Sequence, residues 1–414
     1  MSRSRRVLVL VQGKLGENLI GPEIRGWEMV RALSAEHEVT AAADVERTTI
    51  REGVTVVPRT RAGILAALRD HDAVIGPVIP PYAFASGAHC LRVSDLYDPV
   101  ELELGTLEGR AAQREVGSQR ALRRLQLRWS DLVLCANERQ REGIEGELDR
   151  VGRGTRPDVL TVPMGLPAAP EPAAGNPLRD HFGAIGRDDP LVLWWGSVWR
   201  WLDAGTVVEA VGRLASHRPD IRFVITAGRP SNAATDSLNV TEEVRDQARR
   251  SGLLDRNVFF FDEWIPFAER DRFLADADVG ITLHADTPEA SIAARSRYMD
   301  CVWAALPTVL AAGDETADRL AAAGAAVLVP PRDPAATAAV LEQLLADPAR
   351  LASARAACRV VADEFRWPAM MAPLSERIGE LDPSHQGPGT GLRRGAEASR
   401  YYARRVVDRA LRAN

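Results

Sequence analysis

The residues best suited to chemistry gather between Asp286 and Val309, in DTPEASIAARSRYMDCVWAALPTV. This stretch follows a short apolar strand, Val279 to Leu283, and opens a helix that ends near Leu306-Pro307. At such a strand-to-helix junction, unpaired backbone N–H groups and the helix dipole favour negative charge. Arg295 and Arg297 add guanidinium groups that can make charge-assisted bonds to phosphate oxygens. Asp300, one turn beyond Arg297, can accept hydrogen bonds from sugar hydroxyls. Arginine for a pyrophosphate and carboxylate for a ribose together describe a nucleoside-diphosphate pocket. The plainer reading is a helix with a solvated charged face, and these residues alone weigh equally for both.

The elements that must position these residues repeat a rhythm of apolar strand, loop and amphipathic helix. In the first half, VLVLV (7–11) reads as a buried strand and Gly21 to Ala35 as a helix. EVTAAA, VTVVP, DAVIG, CLRVSD, DLVLCA and VLTVP follow as strands, with helices over Ile64 to Leu68 and near Ala111 to Trp129. The rhythm restarts at LVLWWG and runs through RFVITAG, VFFFDE, VGITLH, TVLAA and AVLVP. Strands alternating with helices, without hairpin signals, predict an α/β chain with parallel sheets covered on both faces. The expected organisation is a Rossmann-like domain over 1–170, a Pro/Ala-rich linker over 171–190, a second Rossmann-like domain over 191–375 and a basic tail over 376–414. Ligands of such sheets sit at the carboxyl ends of strands, so a cleft between the two domains is the expected site.

Bulk properties narrow the function classes. A chain of 414 residues suits two domains, and a net charge of −5 speaks against a nucleic-acid partner. Cys90, Cys135, Cys301 and Cys358 form no CxxC pair, so they suggest neither a zinc site nor a disulfide framework. The basic-then-apolar start, MSRSRRVLVLVQG, has too short an apolar run for a signal peptide, and no segment is long enough to span a bilayer. The expected location is cytoplasmic, with peripheral contact on the inner face of the membrane through the basic tail. There Tyr402, Val406 and Ala410 share one helical stripe flanked by arginines, although packing on the protein's own surface would use the same residues.

Other candidates lie at strand ends. Gly13, Gly16 and Gly21 form a glycine-bearing loop after the first strand and do not spell GxGxxG, which leaves dinucleotide binding without support. Lys14, the only lysine, sits in that loop, and Arg25 follows on the first helix. Asp95 and Asp98 end a strand, and His284 ends VGITL beside Glu289. Trp199 or Trp201 could stack on a base or a sugar face. Asp70-His71-Asp72 and Asp276-Ala277-Asp278 precede strands rather than follow them, so they read as turn residues, and no metal is expected to be required.

An ordered set of segments carries a family resemblance: GPEIRGWEMVRAL (21–33), SDLYDPVELE (94–103), CANERQRE (135–142), WWGSVWRWLD (194–203), DEWIPFAER (262–270), GITLH (280–284) and RSRYMDCVWAALPTV (295–309). From about Val7 to about Leu374 the chain resembles GT-B glycosyltransferases of family 4, in a bacterial branch. The resemblance implies two Rossmann-like domains and retaining transfer of a sugar from a nucleotide-diphosphate sugar to a glycan, glycolipid or small-molecule hydroxyl. The donor is then a co-substrate, and no separate cofactor is needed. The family's second glutamate, which holds the ribose, falls on Asp300. Its first falls on Ile292, with Glu289 the nearest carboxylate. The phosphate-binding arginine and lysine of most members fall on Ser197 and about Leu202, so Arg295 and Arg297 are expected to supply that charge, with Arg200 and Arg229 in support. Gly196, Gly228 and His284 complete the implied donor side. Ser94 replaces a frequent histidine, leaving Asp95 as the polar anchor on the acceptor side. A scaffold that binds a nucleotide or glycan without transfer is the alternative.

Overall fold

The structure is a computed structural model and describes residues 3–15, 19–151, 156–170, 175–228, 238–383 and 390–410. The chain divides into two compact units, one formed by Met1–Met164 with Trp367–Asn414, the other by Gly165–Arg366.

The first unit contains eight strands: β1 (Arg6–Leu10), β2 (Glu38–Ala43), β3 (Thr49–Arg51), β4 (Val54–Pro58), β5 (Ala73–Gly76), β6 (Leu91–Asp95), β7 (Leu132–Cys135) and β8 (Asp158–Thr161). They form one sheet in the order β3-β4-β2-β1-β5-β6-β7-β8, parallel throughout except for the β3–β4 pair. β1, β5 and β7 bury nearly every side chain, as a sheet covered on both faces requires. The antiparallel β3 was not expected from the sequence; its three residues lie at the sheet edge, where Ile50 is exposed.

The second unit contains β9 (Leu191–Trp194), β10 (Arg222–Thr226), β11 (Val258–Phe261), β12 (Val279–Thr282), β13 (Thr308–Ala311) and β14 (Ala326–Val329). Their order is β11-β10-β9-β12-β13-β14, all parallel. Winding runs outward in both directions from the β9–β12 pair, which makes that pair the topological switch point. The first unit has the same arrangement at β1–β5.

The C-terminal boundaries differ from those expected. The helices Trp367–Glu380 and Thr390–Ala410 belong to the first unit. Ser375 Oγ lies 3.1 Å from His37 Nε2, and Arg377 bonds Asp158. The segment expected as a basic tail, for which packing on the protein's own surface is one of the two readings, packs along the helices Pro81–Ala85 and Arg110–Trp129, where Trp129 Nε1 donates to Glu397 at 2.6 Å. No helix among the described residues is long and apolar enough to cross a membrane.

Candidate functional site

The loops that follow β9, β12 and β13 in the second unit bring together most of the expected donor-side residues. The single helix expected after β12 is two: Pro288–Ile292 and Ser296–Trp303. Thr287 caps the first through Ala290 N, and Arg295 is the extended N-cap residue of the second. Splitting the helix turns Arg295 inward. Its Nη2 donates to Glu289 Oε2 at 3.0 Å, with both side chains buried. Burial works against the charge on Arg295, but its acidic surroundings, Glu289 and Asp314 among them, more than offset it and hold its pKa above the ordinary arginine value.

Arg297 has no comparable partner. Its Nη2 donates to the Ser197 carbonyl at 3.2 Å and its guanidinium lies 5.8 Å from the centre of the Trp194 ring. Its buried Nη1 makes no hydrogen bond among the described residues. Burial first, then the charge of Arg295, push Arg297 down to about 10. A cation in this state lacks an anion, and supplying one would satisfy both the charge and the orphan N–H. Gly196 leaves space beside it. Its φ is +88°, and a Cβ there would stand 3.8 Å from Arg297 Nη2. Glycine is thus required for the turn and leaves the guanidinium uncovered on that side.

Three further buried atoms on residues that follow β12 also make no hydrogen bond among the described residues: Arg295 Nε, Glu289 Oε1 and His284 Nε2. His284 Nδ1 donates to the Ala285 carbonyl at 3.0 Å, which leaves Nε2 facing Asp314 Oδ2 at 3.5 Å. Tyr298 OH donates to the same Asp314 oxygen at 3.2 Å, while Asp314 Oδ1 caps the following helix through Ala317 N. Burial raises the Tyr298 pKa, so the phenol stays protonated and can donate. Asp314 and Tyr298 were missed from the sequence. The available signal was position, since Asp314 follows β13, next to β12, and caps the helix that begins at Glu315.

Asp300 is placed differently from a free ribose acceptor. Its Oδ2 accepts from Trp195 Nε1 at 3.1 Å, and its Oδ1 faces Arg270 Nε at 3.4 Å. Burial nevertheless raises its pKa, against the opposing pull of Arg270, Trp195 and Arg297. Arg270 itself lies over the rings of Phe267 and Trp303.

The remaining donor-side expectations separate. Arg200 reaches Glu243 at 3.3 Å on an exposed surface, an ordinary ion pair. Gly228 permits close backbone approach, because a Cβ there would meet the Glu263 carbonyl at 2.4 Å, and its own carbonyl accepts from Ser197 Oγ at 2.8 Å. Arg229 lies outside the described residues. Trp199 and Trp201 stack on each other with centroids 5.8 Å apart.

In the first unit, Arg25 and Asp95 form a buried pair. Arg25 Nε and Nη2 donate to the two Asp95 oxygens at 2.7 and 2.9 Å, and the guanidinium sits 4.6 Å from the Tyr97 ring centre. Both Asp95 oxygens are therefore engaged by one guanidinium. Gly13 has φ +82°, and a Cβ there would fall 1.9 Å from Glu23 Oε1. Glu23 Oε2 in turn accepts from Ile20 N at 2.9 Å, fixing the start of the Gly21–Leu33 helix. Lys14 is exposed beside this turn, Asp98 is half-buried, and Gly16 lies outside the described residues. Both Asp-x-Asp triplets hold backbone at strand starts: Asp72 accepts from Arg6 N, and Asp278 from Leu191 N, each at 2.8 Å. Among the described residues no group of three His, Cys, Asp or Glu side chains is placed to hold a metal ion.

The sequence matches no family profile and no curated protein. Solved structures do match over almost the whole chain. Sucrose-phosphate synthase from Thermosynechococcus elongatus is similar with a TM-score of 0.65 at 14% identity, covering 90% of this chain and 98% of its own. HepE from Anabaena, in complex with UDP and glucose, has a TM-score of 0.64 at 14% identity, covering 91% and 100%. The trehalose-6-phosphate synthase OtsA reaches 0.69 at 12% identity, covering 91% and 99%. These proteins have the GT-B fold, and so does this chain: two Rossmann-like α/β domains with predominantly parallel sheets.

Proposed function

We propose that this protein is a glycosyltransferase that moves a sugar from a nucleotide-diphosphate sugar to a hydroxyl acceptor with retention of anomeric configuration. The bond between the anomeric carbon and the diphosphate oxygen breaks. A bond from that carbon to the acceptor oxygen forms, and the acceptor proton leaves with the diphosphate. Charge grows on the leaving diphosphate, so groups positioned to meet that charge accelerate the step. The observation that carries the reading is Arg297, a cation with a buried, unpartnered Nη1 at the β9–β12 switch point.

In this reading Arg297 and the free Nε of Arg295 receive the diphosphate. Glu289 orients Arg295 and offers its second oxygen to a donor-sugar hydroxyl. Asp300 accepts from the ribose while Trp195 and Arg270 hold its rotamer. No metal cofactor is part of the scheme. Support comes from the fold it shares with HepE in complex with UDP-glucose and with a trehalose-6-phosphate synthase bound to UDP-2-fluoro glucose. Acceptors in surface polysaccharide or glycolipid synthesis fit a peripheral enzyme on the inner face of the membrane.

The test is incubation with UDP-, GDP-, dTDP- and ADP-linked sugars and a panel of glycan and lipid-linked acceptors, with products read by mass and by anomeric proton coupling. A product of retained configuration supports the reading, and an inverted product overturns the mechanism. One observation favours a non-catalytic nucleotide-binding scaffold instead: Ile292 occupies the resemblance-implied place of one carboxylate, while Arg295 already engages Glu289. Nucleotide binding with no turnover on any acceptor would select that alternative.

A further inference from the structure

Two packed helices of the first unit concentrate positive charge. The Arg110–Trp129 helix carries six arginines against Glu115, and the Thr390–Ala410 helix carries six against Glu397 and Asp408, in a chain whose net charge is −5. The helices run antiparallel, with Arg405 bonding Glu115 at one end and Glu397 bonding Trp129 and Arg128 at the other. Arg394 and Ala398 are buried on the inner face.

The opposite face is apolar and uncovered. Leu392 is 82% exposed, Val406 66% and Tyr402 37%, and Val78, which shares a groove with Tyr402 and Val406, is 36% exposed. Four of the six large hydrophobic side chains exposed among the described residues thus fall on one surface. Single exposed hydrophobics are ordinary, whereas a cluster marks a contact. Leu392, Ala396, Ser399, Ala403 and Val406 recur at spacings of three and four, which places them on one helical stripe. Arg393 and Arg400 flank that stripe, exposed and without an ion pair among the described residues, and Arg120 and Arg124 of the neighbouring helix are exposed likewise. The groove beside the stripe, about 330 Å³, is lined by Val78, Leu122, Tyr402 and Val406 among others.

We propose that this face rests on an anionic lipid bilayer, with the Leu392–Val406 stripe in the acyl boundary and the flanking arginines on headgroup phosphates. Apolar side chains at the centre disfavour a purely electrostatic polyanion such as nucleic acid. Unpaired arginines at the rim disfavour burial against another apolar protein face. The inference differs from the tail contact expected from the sequence, because the surface is built jointly by two helices and the loop bearing Val78. It does not depend on the glycosyltransferase reading.

The test is co-sedimentation of the full chain with vesicles of phosphatidylcholine alone or mixed equally with phosphatidylglycerol. Binding is expected to the mixed vesicles, to be weak on the neutral ones and to fall in high salt. Each basic residue at an anionic surface contributes about 1 kcal/mol, so R393A/R400A should weaken partitioning on the order of tenfold or more. L392D/V406D should abolish it, with unchanged circular dichroism in both variants. Equal affinity for the two vesicle types, no binding to either, or undiminished binding by R393A/R400A would overturn the proposal. So would sedimentation velocity showing a dimer that L392D/V406D dissociates, which would assign the face to a second copy.

Discussion

Arg295 Nη2 and Glu289 Oε2 meet at 3.0 Å with both side chains buried, yet Arg295 Nε and Glu289 Oε1 have no partner among the described residues. The pair is satisfied toward each other and open on the remaining side. Removing one member of a buried pair leaves the other charge uncompensated, at a cost of about 3–5 kcal/mol. Glu289→Ala should therefore destabilise the second unit by that order. Glu289→Gln, which keeps the shape and one acceptor, should lose much less stability while still losing turnover. Urea unfolding and kcat measured on both variants check this, and equal stabilities would show the pair to be unimportant for folding.

Arg297 should behave in the opposite sense. Burial and Arg295 lower its pKa to about 10, so its charge opposes folding below that pH. The unfolded chain binds the extra proton between about 10 and the ordinary arginine value, so stability from this group rises with pH across that window. Arg297→Gln should raise Tm by about 2–4 °C, the shift that corresponds to ~1 kcal/mol in a domain of this size. Inorganic phosphate should stabilise the parent and not the variant. Calorimetric scans with and without phosphate check both statements.

The same value predicts a pH dependence of ligand binding. An anion held by Arg297 should lose affinity as pH rises through about 10, where the guanidinium gives up its proton. Titrations of a nucleoside diphosphate between pH 7 and pH 11 should show a decline that Arg297→Gln removes.

The buried Arg25–Asp95 pair in the first unit calls for a double-mutant cycle. Asp95→Ala and Arg25→Met should each cost about 3–5 kcal/mol, and together they should cost clearly less than the sum. Additive losses would mean that the bidentate geometry contributes no coupling.

Gly13→Ala tests the turn after β1. Its φ of +82° and the 1.9 Å approach of a Cβ to Glu23 leave no room for a side chain unless Glu23 moves. The helix start would then lose its bond to Ile20 N. A loss of about 1–3 kcal/mol in thermal or urea unfolding is expected.

The alternation of VLVLV, DLVLC, LVLW and GIT with amphipathic segments made the parallel sheets legible, because strands covered on both faces leave continuous apolar runs. The charge cluster at 286–300 was legible too, from its place after a buried strand. What sequence did not reveal depends on long-range contact. Nothing near Asp314 announces that it shares an oxygen between Tyr298 and His284. Asp95 reads as an open strand-end carboxylate until Arg25, seventy positions away, takes both oxygens. Asp300 reads as free until Trp195, after β9, and Arg270, at the start of the Arg270–Ala275 helix, reach it. The Thr390–Ala410 helix reads as a tail because its arginines hide the face formed by Arg394 and Ala398, which docks on the first unit.

The most direct test is calorimetric titration of the purified chain, without added metal, against UDP, GDP, dTDP and ADP, repeated with Arg297→Gln. One nucleoside diphosphate should bind the parent more tightly than the rest. The variant should bind it at least tenfold more weakly while remaining folded and at least as thermostable. Binding unchanged in the variant, or none of the four bound by the parent, would contradict the assignment of the β9–β12 site as the diphosphate pocket.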